Sequence, residues 1–336
     1  MLVINTMLAP HLNQKLFEKD VERVPNRDGF GNGLKEAGER DAHVVALCGD
    51  LTESTKMNVF KDAFPERFVE VGVAEQSMAS VASGMAAMGK IPFMASYAMF
   101  CPGRNWEQIR TTIAYNNANV KIIGSHAGVS VGPDGATHQA IEDIALIRVI
   151  SGMTVIVPCD AIEAKKATLA AAEHIGPLYI RLAREKTPIV TTHASPFVIG
   201  KAEVYLTPEE GKINGEKKIG IIACGTVLHN ALVAGRKLNN EGIATSVMNL
   251  ATIKPLDEEA VLAFATEHQA IITVEEHQIA GGMGSTIAEL LSEKHPMKVV
   301  RIGVRDLFGQ SGEPDELIKH YGIDVDSIYE TAKELV

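Results

Sequence analysis

Val71-Gly72-Val73-Ala74-Glu75-Gln76 joins a short apolar segment, Arg67–Val73, to a run of small residues from Gln76 to Met88. The first part has the character of a strand. The second, with Ala79, Ser80, Ala82, Ser83, Gly84, Ala86 and Ala87, reads as a helix whose surface lets a neighbour approach closely. Such a surface suits an interface and a buried core helix equally. The same strand-then-helix unit recurs on both sides. Expected strands are His43–Cys48, Val120–Gly124, Thr154–Val157, Leu178–Arg181, Ile219–Cys224, Thr245–Leu250, Ala270–Val274 and Val299–Ile302. Expected helices are Asn32–Glu39, Gln76–Met88, Trp106–Ala118, Ala161–His174, Leu228–Asn240, Glu258–Glu267 and Ser285–Leu291. This alternation predicts an α/β protein of mostly parallel sheets flanked by helices.

The length, 336 residues, suits about two domains. A composition shift at 186–216 holds Pro188, Pro196, Pro208, Gly211 and Gly215, with a polar tract from Thr207 to Lys218. It predicts a first domain over 22–190, a linker over 191–216 and a second domain over 217–336. Hydrophobic residues at 46% and charged residues at 22% are ordinary for a globular protein with a real core. A net charge of −10, and 5% aromatics with a single tryptophan, Trp106, argue against a nucleic-acid partner. No apolar run approaches the ~18 residues of a membrane span. The opening residues lack a basic segment followed by an apolar core, so a cytoplasmic protein is expected. The cysteines Cys48, Cys101, Cys159 and Cys224 have no metal or redox spacing. Cys48, Cys159 and Cys224 sit in or beside apolar runs and are expected as buried thiols.

Three stretches carry candidate chemistry. Glu75 stands between a strand and a helix, where a carboxyl is expected to be partly buried, and burial favours a protonated carboxyl. The alternative is a plain helix N-terminal acid, favoured by the helix dipole. Gly124-Ser125-His126-Ala127-Gly128 and Gly132-Pro133-Asp134-Gly135-Ala136-Thr137-His138-Gln139 place two histidines and an aspartate in a glycine-rich loop after a strand. Ligands bind open α/β sheets at such loops, and histidine exchanges protons near neutral pH. The alternative is a solvated loop; a metal site is disfavoured by the absence of helical pairing and of a third strong ligand. Arg27-Asp28 and Arg181-Leu182-Ala183-Arg184 could clamp an anion or form surface ion pairs. Gly281-Gly282-Met283-Gly284-Ser285 lacks dinucleotide-fingerprint spacing and reads as a tight turn into a helix.

Taken in order, these segments resemble the C-terminal half of transketolase, its pyrimidine-binding and C-terminal domains, over roughly residues 22–334. Asn26-Arg27-Asp28-Gly29-Phe30 and Cys48-Gly49-Asp50-Leu51-Thr52-Glu53-Ser54 resemble two of that family's segments. So do Val71–Gln76, Ser96-Tyr97-Ala98-Met99-Phe100 and the loop from His126 to His138. Thr245–Leu256 and Glu275-Glu276-His277, with Gly281-Gly282 after them, resemble its C-terminal domain. Glu75-Gln76 departs from the family's Glu-His and is closer to deoxyxylulose-phosphate synthase. Ala136 stands where proline is usual, whereas His126 favours transketolase. The β subunits of 2-oxo acid dehydrogenases share the architecture but not the Asp134…Thr137-His138-Gln139 signature.

The resemblance implies thiamine diphosphate as cofactor. Glu75 matches the glutamate that hydrogen-bonds its aminopyrimidine ring and supports the proton relay. Tyr97 and Phe100 match aromatics lining the pyrimidine pocket, and Asp50 falls in the same cofactor-facing turn. Arg27, Ser54, His126 and Arg184 match the sugar-phosphate site, Asp134 a contact to the donor hydroxyl, and His138 a histidine over the reacting carbon. The implied catalytic residues are thus Glu75, His126 and His138, and the implied reaction is transfer of a two-carbon ketol unit between sugar phosphates. The chain has no Gly-Asp-Gly metal motif; Gly49-Asp50-Leu51 is its nearest match. The resemblance therefore implies a separate N-terminal subunit that holds the diphosphate and a Mg²⁺ or Ca²⁺ ion, in an α2β2 assembly, with no metal site on this chain. A synthase-like or dehydrogenase-like subunit and a non-catalytic regulatory homologue are the alternatives.

Overall fold

Runs buried along their whole length set the two sheets. In a computed structural model, which describes residues 6–209 and 218–336, Val44–Cys48 and Lys121–Ser125 are buried at every position. A parallel strand covered on both faces has this pattern. The first part of the chain runs β1 (Thr6–Leu8), β2 (Arg23–Pro25), α1 (Asn26–Arg40), β3 (Val44–Cys48), α2 (Asn58–Ala63), β4 (Phe68–Glu70), α3 (Glu75–Ala87) and β5 (Ile91–Tyr97). It continues with α4 (Trp106–Gln108, prolonged by a π-helical turn over Ile109–Ala114), β6 (Lys121–Ser125), α5 (Asp143–Arg148), β7 (Thr154–Ile156), α6 (Ala161–Glu173), β8 (Leu178–Arg181), β9 (Lys186–Pro188) and β10 (Glu203–Pro208). The second part runs β11 (Lys218–Ala223), α7 (Leu228–Asn240), β12 (Ala244–Asn249), β13 (Thr252–Lys254), α8 (Glu258–Thr266), β14 (Ala270–Gln278), α9 (Met283–Lys294), β15 (Lys298–Val304), α10 (Pro314–His320) and α11 (Val325–Lys333).

The first sheet has seven strands in the order β13-β7-β8-β6-β5-β3-β4, and the second has six in the order β1-β10-β12-β11-β14-β15. Both are parallel in their interiors and antiparallel at one edge, so the α/β class expected from the alternation is the class found. The edge strands cross between the two regions. β13, from the second, pairs with β7 of the first sheet. β1, from the opening residues, pairs with β10 in the second. One apolar cluster joins both sheets, running from Met94 and Ile122 through Ile147 and Val155 to Leu250 and Met283.

Several elements differ from expectation. The stretch 191–216 is not all linker, since β10 lies within it; Gly211 and Gly215 lie outside the described residues. β5 has no counterpart among the expected strands because Pro92 interrupts its apolar run. Pro92 is only its second residue, where a missing N–H costs the ladder least. α1 begins at Asn26, six positions before the expected start at Asn32, which puts Arg27 in its first turn. α1 and α6 pack backbone to backbone: a Cβ on Gly29 would sit 1.8 Å from the carbonyl oxygen of Ala161, so only glycine fits there. All four cysteines are buried thiols without a disulfide. No helix of the described residues is long and apolar enough to cross a membrane.

Candidate active site

The C-terminal ends of β3, β5, β6 and β8 lie side by side in the first sheet, where an open α/β sheet offers its ligand site. Most of the expected residues leave from these ends. Buried Asn26 fastens the start of α1 to them, accepting from the N–H of Ala183 (2.9 Å) and donating to the carbonyl of Pro158 (3.4 Å). Arg27 follows it and donates from Nη1 to the carbonyl of Ser54 (2.6 Å). The contact to Ser54 is thus through its backbone.

Glu75 opens α3 and is 1% exposed. Its Oε2 accepts from Nη1 of Arg104 at 2.7 Å, the Ser96 hydroxyl lies 3.5 Å from Oε1, and Asn105 donates to its backbone carbonyl at 3.1 Å. The burial matches expectation, but the ion pair does not. Arg104 has no local signal: it follows a Cys101-Pro102-Gly103 turn and returns to a residue 29 positions earlier. Its guanidinium also lies 4.6 Å over the Phe100 ring.

Four rings form the wall beyond Glu75. Tyr97 stacks on His126 with centroids 3.9 Å apart and planes at 21°. Phe100 lies 6.2 Å from Tyr97, nearly parallel, and meets His138 edge-on at 5.5 Å. Tyr97 and Phe100 remain half-exposed, although His126 covers one face of Tyr97 and the Arg104 guanidinium lies over a face of Phe100. His126 has φ +55°, a left-handed conformation that costs a non-glycine residue on the order of 1 kcal/mol or more. The N–H of Ala127, bonded to the carbonyl of Leu182 at 3.0 Å, helps hold it there. Burial, then the charges of Arg27, Arg184 and His138, push the His126 imidazole down to about 3, so the ring is neutral. Its Nε2 faces Arg27 Nη1 at 3.5 Å and its Nδ1 faces the Ser125 hydroxyl at 2.9 Å. A guanidinium can only donate, so the ring proton belongs on Nδ1.

The remaining expected residues spread around this wall. Arg184, half-buried, donates to the carbonyl of Val131 at 2.6 Å and lies 3.6 Å from Glu185. Asp134 is exposed on the loop between β6 and α5, and His138 pairs with its neighbour Thr137 at 2.9 Å. Asp50 is exposed just past β3, its N–H donating to Glu70 at 2.8 Å; adjacent Gly49, not Asp50, backs onto Glu75.

Arg181 is a correction. It does not join Arg184 in an anion clamp. It is 6% exposed, with Nε 2.9 Å from Asp143, and donates to the carbonyls of Ala140 and Glu276. A buried guanidinium needs such partners, and Asp143 and these two carbonyls take the Nε and Nη2 donors of Arg181. The Gly281–Ser285 stretch is the tight turn expected. The first amides of α9, at Met283 and Gly284, are filled by Glu275 at 2.7 and 2.8 Å. Among the described residues no group of three His, Cys, Asp or Glu side chains is placed to hold a metal ion.

The sequence matches the transketolase pyrimidine-binding domain over residues 22–190 and the transketolase C-terminal domain over residues 211–328. A protein of Methanocaldococcus jannaschii described as a transketolase C-terminal section is 42% identical over 305 residues, covering 90% of this chain and 93% of that one. The 6-deoxy-6-sulfo-D-fructose transketolase subunit SqwH of Clostridium sp. (strain MSTE9) is 38% identical over 320 residues, 95% of each chain. A solved structure described as a split gene transketolase, inactive beta4 tetramer, superposes with a TM-score of 0.81 at 39% identity, covering 93% of this chain and 97% of that one. The chain belongs to the transketolase family, of which it carries the pyrimidine-binding and C-terminal domains.

Proposed function

We propose that this chain is the C-terminal subunit of a split transketolase, active with a separate N-terminal subunit that holds the cofactor diphosphate and its Mg²⁺ or Ca²⁺ ion. The observation that carries the reading is the pairing of a buried acid, Glu75, with two half-exposed aromatic rings, Tyr97 and Phe100, beside a cluster of Arg27, Arg184, His126 and His138. The residues present fit one end of thiamine diphosphate: a carboxyl for a ring nitrogen and flat apolar faces for an aromatic ring. When bound, that cofactor supplies the carbon nucleophile for ketol transfer. Glu75 holds the proton at the ring nitrogen, and Tyr97 and Phe100 fix the ring plane. Such a stack is worth about 0.5–1.5 kcal/mol beyond burial. Arg27 and Arg184 bind the anionic end of the sugar, and charge-assisted bonds of this kind are the strong ones. Neutral His126 stands between rings and guanidinium. His138 and Asp134 approach the sugar from the loop.

Relatives named as a C-terminal section, a subunit and a split gene product support the two-chain assembly. The outer face of α3 supports self-association into α2β2: Val81 is 41% and neighbouring Met88 82% exposed, and Gly84 has open space beside it. We place the reaction in the pentose phosphate pathway of the cytoplasm, with a ketose phosphate as donor and an aldose phosphate as acceptor. The name of SqwH favours a second donor, a sulfonated ketose. A sulfonate is also an anion that paired arginines can hold. The test is ketol transfer by the chain mixed with its N-terminal partner, thiamine diphosphate and Mg²⁺. Xylulose 5-phosphate and 6-deoxy-6-sulfofructose serve as donors in turn, with ribose 5-phosphate as acceptor. Turnover with the phosphate donor supports the first reading, turnover with the sulfonate alone the second, and turnover with neither defeats both.

A further inference from the structure

The loop that carries Asp134 and His138 is held from behind by the second domain. At its start, Glu276 of β14 accepts from the N–H of Ser130 at 2.5 Å. It lies so close to Gly128, at φ +91°, that a Cβ there would come within 2.3 Å of its Oε1. At the other end stands Gln139, 2% exposed. Its Nε2 donates to the carbonyls of Val129 (2.9 Å) and Gly132 (3.4 Å) within the loop, and to that of Gln310 (2.9 Å), which follows β15. The segment Gly309–Gly312 closes on the loop from the second domain. A Cβ on Gly309 would sit 1.7 Å from Gln139 Oε1, and one on Gly135 would sit 2.6 Å from the Ser311 hydroxyl.

We propose that Gln139 is a positioning residue, whose amide ties both turns of this loop to the 309–312 segment and so sets where Asp134 and His138 stand. The claim about turnover rests on the transketolase reading above; the claim about order does not. A primary amide has two N–H donors, and here they serve three carbonyls on two domains. Loop segments rich in glycine have little of their own to hold one conformation, so the order of this one comes from its anchors. His138, next in the chain, faces Phe100 edge-on, so a shift of the anchor moves it against the ring wall.

Hydrogen exchange of the full chain tests this, comparing the natural protein with Gln139→Leu and with Gly309→Ala, which disturbs the same contact from the second domain. Both variants are expected to exchange about fivefold faster over residues 129–138, the effect of losing about one net hydrogen bond, while β3 and β11 keep their protection. In the mixed enzyme both are expected to lower kcat for the phosphorylated sugar more than they raise KM, because His138 stands over the reacting carbon in that reading, with thiamine diphosphate affinity by equilibrium dialysis unchanged. Unchanged exchange over the loop in both variants overturns the proposal. Exchange that rises throughout the chain also overturns it, because Gln139 would then support the fold at large. If the natural mixture shows no ketol transfer, the transketolase reading fails while the exchange data still decide the anchoring.

Discussion

Arg104→Met removes a guanidinium from a carboxylate that has almost no access to water. Glu75 is 1% exposed, and its Oε2 lies 2.7 Å from Arg104 Nη1; the next polar side-chain group, the Ser96 hydroxyl, is 3.5 Å from Oε1. Removing one partner of a fully buried pair costs about 3–5 kcal/mol, whereas an exposed pair is worth about 0–1 kcal/mol. The Arg104 side chain is 45% exposed, so the pair sits between these limits, and a loss of about 1–3 kcal/mol is expected. Contact with the Phe100 face adds about 0.5 kcal/mol. Glu75→Gln is expected to cost less, about 1 kcal/mol or under, because Arg104 can turn to solvent. The double variant leaves no stranded charge and is expected to be more stable than Arg104→Met alone. Urea unfolding of the four proteins, followed by circular dichroism, gives the coupling energy from the cycle. Additive losses would refute the claim that the guanidinium sustains this buried acid. Mixed with the N-terminal partner, the folded Glu75→Gln chain is expected to give no ketol transfer; near-normal turnover would remove Glu75 from the proton relay.

Arg184→Ala is expected to raise KM for phosphorylated sugars about tenfold or more with kcat little changed, since it removes binding common to ground and transition states; an unchanged KM in steady-state assays moves the anion site elsewhere. His126 is expected to stay neutral from pH 5 to 8, so its ring proton resonance should not move there, and an inflection near 6.5 contradicts the described environment. With the folded imidazole at about 3 and an unfolded one near 6.5, the unfolded chain takes up the proton first. The stability His126 contributes is therefore complete above pH 6.5 and drains away as pH falls toward 3. Glu163 has the opposite sign. Burial, then the Asp160 charge, raises its carboxyl from 4.5 to about 7. Its contribution is full below pH 4.5 and is lost as pH rises through 7. Glu163→Gln should flatten that part of the Tm profile between pH 5 and 7.5, and an unchanged slope assigns it to another group.

What the sequence discloses follows from how local the physics is. β6, β8 and β11 were legible because a strand covered on both faces carries a run of adjacent apolar residues, as Ile122-Ile123, Leu178-Tyr179-Ile180 and Ile221-Ile222 do. β2, β9 and β13 were not: three residues are too few for a period, and β13 forms by pairing with the edge that β7 of the first sheet presents. Within the site, Glu75, His126, Arg27 and His138 stand out as reactive groups at strand ends. Arg104 and Gln139 do not, because their partners lie 29 and 171 positions away. Arg181 and Arg184 look alike three residues apart. Only the fold shows that Asp143 has claimed the first.

The crossed edge strands bear on how this protein can be divided. Each sheet takes its outermost strand from a segment that the sequence assigns elsewhere. Cutting the chain within 191–216 would strip β13 from β7, and removing the first twenty residues would strip β1 from β10. Each cut uncovers a row of unpaired backbone donors and acceptors, a template on which other chains can add. The two domains are interlaced. Both sheets are complete only when β1, both regions and the segment that joins them belong to the same chain.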